Sequence, residues 1–123
     1  MSENFLKVIS MTPDSNENQP IEPIHFEELH IEPWPDGQRL RVHITLSSFT
    51  TRPNLEAALF TEDEVEIQRI HIVENMDARL VFTMHLRGMP LPGRFKLTAL
   101  IYYDPEVILD QRTIDFEIKQ TTD

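Results

Sequence analysis

The sequence predicts an all-β protein, an antiparallel sandwich of about seven short strands. Apolar residues recur at every second position through most of the chain from residue 24 onward, which is the spacing that a strand with one buried face requires. Segments that contain glycine or proline separate these stretches, and such segments favour turns. A chain of 123 residues suits one domain and is long enough to bury a core.

Six segments carry the alternation, four of them clearly. The clear segments are residues 40–46, 80–86, 95–103 and 114–118. Two weaker segments cover residues 24–31 and 65–72, and in each the alternation slips by one residue, at Glu27–Glu28 and at Gln68–Arg69. A slip of one residue predicts a β-bulge. The turns between segments are predicted at residues 34–37, 88–93 and 104–106.

The segment 54–60 fits two structures. Asn54 is a suitable helix cap, and Leu55, Ala58 and Leu59 lie at helical spacing. Leu55, Ala57 and Leu59 fit a strand equally well. We favour a strand, because it fills the third place in a regular series of about seven.

The chain divides into an N-terminal segment (1–23), a sandwich (24–118) and a short tail (119–123). Residues 5–9 are a candidate edge strand, whereas residues 12–20 contain no apolar side chain and read as a linker. Residues 1–36 hold eight acidic side chains against Lys7, and so carry seven of the ten net negative charges.

Composition argues against several classes of protein. The absence of cysteine excludes disulfide scaffolds, thiol catalysis and thiolate metal sites. A formal net charge of -10 argues against sequence-independent nucleic-acid binding, because the phosphates would be repelled. No apolar run approaches the ~20 residues that a membrane span needs, and the first residues lack the pattern of a secretory signal. We therefore expect a cytoplasmic protein that binds neither nucleic acid nor membrane.

Three segments resemble a known group of modules. Residues 92–104, PGRFKLTALIYYD, resemble the penultimate strand of bacterial immunoglobulin-like and fibronectin-like modules, where a proline-glycine turn leads into an aromatic strand that ends at an aspartate. Residues 8–13 are similar to the first strand of such modules and residues 53–61 to the third. The resemblance implies an immunoglobulin-like antiparallel β-sandwich of about seven strands, and it implies no catalytic residue. The chain lacks the cysteine pair of antibody domains, and Trp34 lies in a turn region rather than in a strand.

Histidines are the first candidates for chemistry. In immunoglobulin order the first, second, fourth and fifth strands share one sheet, and these strands hold all five histidines. His43, His71 and His85 should face outward from that sheet, and His30 should join them if the bulge at Glu27–Glu28 resets the register. Imidazoles on adjacent strands can share a transition metal or titrate together. The spacing is not that of a dedicated metal motif, so we expect solvated histidines, with no metal and no cofactor.

Other chemistries have weaker support. The acidic segment 61–66 lacks the glycine and the ligand spacing of a calcium loop, and reads as a solvated turn. No serine lies in a glycine-flanked elbow, and three glycines cannot supply a phosphate-binding loop. We therefore assign no catalytic residues and expect a protein that is not an enzyme.

An apolar patch is the stronger functional signal. On the alternation above, Ala58 and Phe60 of the third strand and Leu100 and Tyr102 of the sixth point away from the core. The third and sixth strands are neighbours in immunoglobulin order, and apolar patches on a solvated sheet often mark interfaces. The sequence thus predicts a non-catalytic protein-interaction module, with a protein partner or a second copy of the chain on this face. The alternative is a small-ligand or metal-binding sandwich that uses the outward histidines.

Two arrangements would remove the patch. The N-terminal segment around Phe5 and Ile9 could fold over it, or residues 54–60 could form a helix, which would change the direction of Ala58 and Phe60.

Overall fold

The computed structural model describes residues 23–86, 88–90 and 92–119 of the chain. These residues form an all-β sandwich of seven antiparallel strands in two sheets. The strands are β1 (Phe26–Pro33), β2 (Arg39–Leu46), β3 (Asn54–Thr61), β4 (Glu66–Ile72), β5 (Arg79–His85), β6 (Gly93–Asp104) and β7 (Val107–Ile118). The edge strand predicted at residues 5–9 lies outside the described residues.

Segment 54–60 is a strand, as favoured, and its helical alternative is wrong. β3 pairs with β4 on one side and with β6 on the other, so both of its edges are hydrogen-bonded in a sheet. The alternate residues Leu55, Ala57 and Leu59 point into the core, and each is at most 4% exposed.

The sheet topology differs from the expected immunoglobulin order in one strand. One sheet has the order β1-β2-β5 and the other the order β4-β3-β6-β7, so the fourth strand does not share a sheet with the first, second and fifth. The short turn between β3 and β4 explains this, because the Thr61 N–H donates to the Val65 carbonyl at 2.9 Å and the Glu64 N–H donates to the Thr61 carbonyl at 2.9 Å. A tight turn of this kind pairs β4 with the strand that precedes it.

The core lies between the inner faces of the two sheets. Alternate residues of β2 and β6 supply much of it, and all are at most 4% exposed: Leu40, Val42, Ile44, Leu46, Phe95, Leu97, Ala99 and Ile101. The period-two pattern of the sequence therefore marks burial on one face of each strand.

Both predicted bulges occur in the strands where the alternation slips. In β1 the register shifts between Phe26 and Glu28, as predicted, and beyond this shift His30 lies opposite His43. In β4 the extra residue is Ile67, one position before the slip in the sequence. The described part of the chain contains no helix that could span a membrane.

Candidate functional site

The outer face of the four-stranded sheet carries the four residues of the predicted interface. β3 and β6 pair antiparallel, with Ala58 opposite Thr98 and Glu56 opposite Leu100. Ala58 and Phe60 follow one another on the outer face of β3, and Leu100 and Tyr102 do so on the outer face of β6. The structure thus places all four on one face.

The four residues form a diagonal row rather than a compact patch. Leu100 is a diagonal neighbour of Ala58 across the strand pair. Phe60 lies opposite Lys96, six residues before Tyr102, so the two ends of the row are separated by about 20 Å along the strands.

The row is continued by Ile108 of β7, which lies opposite Tyr102 and is 43% exposed. Sequence reasoning missed Ile108, although the short turn at residues 104–106 is a signal that the following residues pair back onto β6. We call Phe60, Ala58, Leu100, Tyr102 and Ile108 the apolar diagonal. Ala58 is only 3% exposed, whereas Phe60, Leu100 and Tyr102 are half-buried.

Polar networks flank the apolar diagonal. On the β4 side, Arg69 donates hydrogen bonds to Glu66 and to Glu56, and His71 Nδ1 lies 3.5 Å from a Glu56 oxygen. On the β7 side, the Thr98 and Thr113 hydroxyls are 3.5 Å apart. At the Phe60 end of the row, Lys96 Nζ lies 3.9 Å from an oxygen of Glu64 in the turn between β3 and β4. The outer face therefore combines an apolar row with charged and hydroxyl side chains directly beside it, a mixture that many protein interfaces have. The residues proposed to cover it, Phe5 and Ile9, lie outside the described residues.

The outer face of the three-stranded sheet brings two of the candidate histidines together. His30 of β1 and His43 of β2 lie directly opposite one another, with ring centroids 5.5 Å apart. His43 Nε2 lies 3.1 Å from a Glu32 carboxylate oxygen. His30 lies opposite His43 because the β1 bulge shifts the register by one residue, and the slip of the alternation at Glu27–Glu28 predicts that bulge.

The other two candidates are separate from this pair. His85 lies opposite Arg39. Arg39 is four residues from His43 in β2, so His85 is about 13 Å from His43 in the direction of the strands. His71 lies on β4, in the four-stranded sheet, so the expectation that it shares a face with His43 is wrong. Within residues 23–86, 88–90 and 92–119 no group of three or more histidine or acidic side chains is placed to hold a metal ion.

Trp34 forms a small aromatic and cationic cluster that sequence reasoning missed. The guanidinium carbons of Arg39 and Arg41 lie 4.1 and 5.1 Å from the centre of the Trp34 ring, close enough for cation–π attraction. Alternating arginines in a strand that follows a tryptophan turn were the available signal.

Asp36 anchors the turn that holds this cluster. Its carboxylate accepts hydrogen bonds from the Gln38 backbone N–H at 2.8 Å and from Arg39 Nε at 2.9 Å. The Gln38 N–H, and then the Arg39 guanidinium, hold the pKa of Asp36 below its usual value of 3.8.

Comparisons with known proteins identify a fold. No protein-family model matches the chain, and no curated protein matches it by sequence. Among solved structures, a β-glucuronidase of Parabacteroides merdae is similar with a TM-score of 0.62 and 12% identity, over 77% of this chain and 13% of that one. Two glycosyl hydrolase family 2 members, from Bacteroides cellulosilyticus and from its strain DSM 14838, have TM-scores of 0.55 and 0.51, each with 14% identity over 78% of this chain.

The chain spans only a small part of these enzymes, 13% to 15% of their length. At such identities the likeness concerns architecture alone, since one fold carries many functions. What the comparisons establish is that this chain has the β-sandwich fold that recurs as a portion of much larger proteins.

Proposed function

We propose that this chain is a non-catalytic protein-interaction module that self-associates through the outer face of its four-stranded sheet. One observation carries the proposal: the apolar diagonal crosses three strands of this face, and all of its side chains except Ala58 are partly exposed. The solvated face of an antiparallel sheet is ordinarily polar, and a row of half-buried aromatic and aliphatic side chains beside polar groups is typical of an interface.

A second copy is a suitable partner for a surface of this shape. A two-fold axis that runs along the diagonal, between two facing sheets, places the diagonal of one copy on that of the other. Such an interface uses the same residues on both chains, which is the usual arrangement in homodimers. Sheets that pack in this way lie about 10 Å apart, and the side chains of Phe60, Leu100 and Tyr102 are long enough to fill that space.

We also propose that the chain is related to immunoglobulin-like and fibronectin-like modules, with one strand in a different place. Immunoglobulin constant-type domains place the fourth strand beside the fifth, whereas here β4 lies beside β3. We infer an immunoglobulin-like module in the broad sense, with three strands packed on four.

Sedimentation velocity over a wide concentration range tests self-association. The net charge of -10 makes two copies repel one another, so the runs are made at 0.15 M and 0.5 M salt, where the repulsion is screened. We expect the native chain to sediment faster as its concentration rises, and more so at the higher salt. Phe60→Glu and Tyr102→Glu should remain monomeric, because each places a charge in the interface.

The matched control is Thr83→Glu, which adds the same charge to the outer face of the three-stranded sheet, where Thr83 lies opposite Arg41. This variant should associate as the native chain does. A native chain that stays monomeric at every concentration, with variants that behave identically, would refute the proposal.

A further inference from the structure

We propose that His30 and His43 form a two-imidazole chelate for a late first-row divalent metal ion, such as Ni²⁺, Cu²⁺ or Zn²⁺. This site lies on the outer face of the three-stranded sheet, on the other side of the sandwich from the apolar diagonal. It is therefore independent of the proposed self-association.

The backbone places the two rings in reach of a single ion. His30 and His43 are directly opposed in the β1–β2 ladder, and their ring centroids are 5.5 Å apart with the planes inclined at 41°. Bonds of 2.0–2.1 Å from a metal to two imidazole nitrogens require those nitrogens to lie about 3 Å apart. Rotation of the exposed His30 ring can supply the remaining approach, because the hydrogen-bonded strands fix both Cα atoms.

Two carboxylates lie on the same face as the histidine pair. Glu32 contacts His43 Nε2 at 3.1 Å, and carboxylates that hydrogen-bond a metal-binding histidine orient its ring. Glu28 lies on the same face of β1, opposite Thr45. Two cations lie on the same face: Arg41, whose guanidinium carbon is 5.1 Å from the centre of the Trp34 ring, and Arg79 of β5, opposite Thr45.

The donor set determines the class of metal. Neutral imidazole binds zinc, copper and nickel well, and magnesium and calcium prefer oxygen. Because the described residues include no third ligand placed to complete the site, water completes the coordination shell. The expected affinity is thus that of a two-ligand chelate, well below that of a structural zinc site.

The chain provides its own controls. His71 and His85 are histidines on outer sheet faces that have no histidine opposite, since they lie across from Glu56 and Arg39. Single imidazoles bind these metals weakly, whereas two ligands held together gain from a high effective concentration.

Isothermal titration of the untagged protein with Ni²⁺, alongside thermal melts with and without EDTA, tests the chelate. We expect one site per chain and a melting temperature that rises with Ni²⁺ and returns with EDTA. His30→Gln and His43→Gln should each weaken binding about 10²-fold, while His71→Gln and His85→Gln should leave it unchanged. Binding that survives in His30→Gln, that is lost equally in His71→Gln, or that is absent in the native chain would overturn the proposal.

Discussion

Asp110 of β7 accepts a hydrogen bond from the backbone N–H of Phe26 in β1, with 2.8 Å between Oδ2 and N. The two strands are edges of different sheets. Two residues further along β7, Arg112 donates from its guanidinium to the Phe26 carbonyl at 3.0 Å. Two side chains thus satisfy both backbone groups of the residue that precedes the β1 bulge, where the ladder with β2 is irregular. These two hydrogen bonds join the edge strands β1 and β7, and so connect the two sheets along one side of the sandwich.

We predict that Asp110→Ala destabilises the fold by about 1–3 kcal/mol, because a partly buried N–H loses its acceptor. Urea unfolding should show a lower midpoint with an unchanged slope. Asp115→Ala is the control, since Asp115 is exposed on the same strand and should cost no more than about 0.5 kcal/mol. Equal losses in the two variants would contradict a specific role for Asp110.

The opposite side of the sandwich is closed by Gln68. Its side-chain oxygen, on edge strand β4, accepts from the His85 backbone N–H on edge strand β5 at 2.7 Å. Gln68→Leu removes this acceptor, so the His85 amide should exchange its hydrogen faster, by about the 5–10-fold that corresponds to a net hydrogen bond of roughly 1 kcal/mol. Hydrogen exchange followed by NMR measures this, and Ile44 in central strand β2 should keep its protection. An unchanged His85 amide would show that Gln68 does not protect this edge.

How far the sequence predicts the fold can be seen in β2 and β4. Leu40, Val42 and Ile44 alternate with polar residues and are all buried, because one face of a strand in a sandwich is dry. Period two fixes the face of a strand, but it says nothing about the sheet to which the strand belongs. The position of β4 follows from the hydrogen bonds of the turn at Thr61 and Glu64, where Glu64 adopts a positive φ of 66° that the sequence does not signal.

The same limit applies to the candidate sites. The alternation of apolar and polar residues in the sequence predicts that Phe60 and Leu100 lie on an outer face. It does not predict that Ala58, on the same face, is only 3% exposed, since exposure depends on the neighbouring side chains. The pairing of His30 with His43 depends on the register across two strands, and a single bulge decides it.

Ala99 illustrates how tightly the inner face is filled. It lies opposite Ala57 in the centre of the four-stranded sheet and is 1% exposed. Ala99→Leu adds three carbon atoms to a closed core and should destabilise the fold by about 1–3 kcal/mol. Leu97→Ala, at a fully buried neighbour, should cost about 2–5 kcal/mol through the cavity that it leaves. Chemical denaturation measures both, and a neutral Ala99→Leu would mean that the core holds unfilled space at this point.

The Asp36 turn predicts a pH dependence with a definite sign. Because the Gln38 N–H and the Arg39 guanidinium favour the charged carboxylate, the pKa of Asp36 in the folded chain lies below its usual value of 3.8. The stabilisation is therefore complete above pH 3.8 and is lost as the pH falls through the folded pKa. Titration of the Asp36 carboxyl carbon by NMR should give a midpoint below 3.8.

Arg39→Gln should raise that midpoint only partway, because the backbone hydrogen bond from Gln38 is the larger cause and remains in the variant. A midpoint at or above 3.8 in the native chain would show that the Gln38 N–H does not bind the carboxylate in solution.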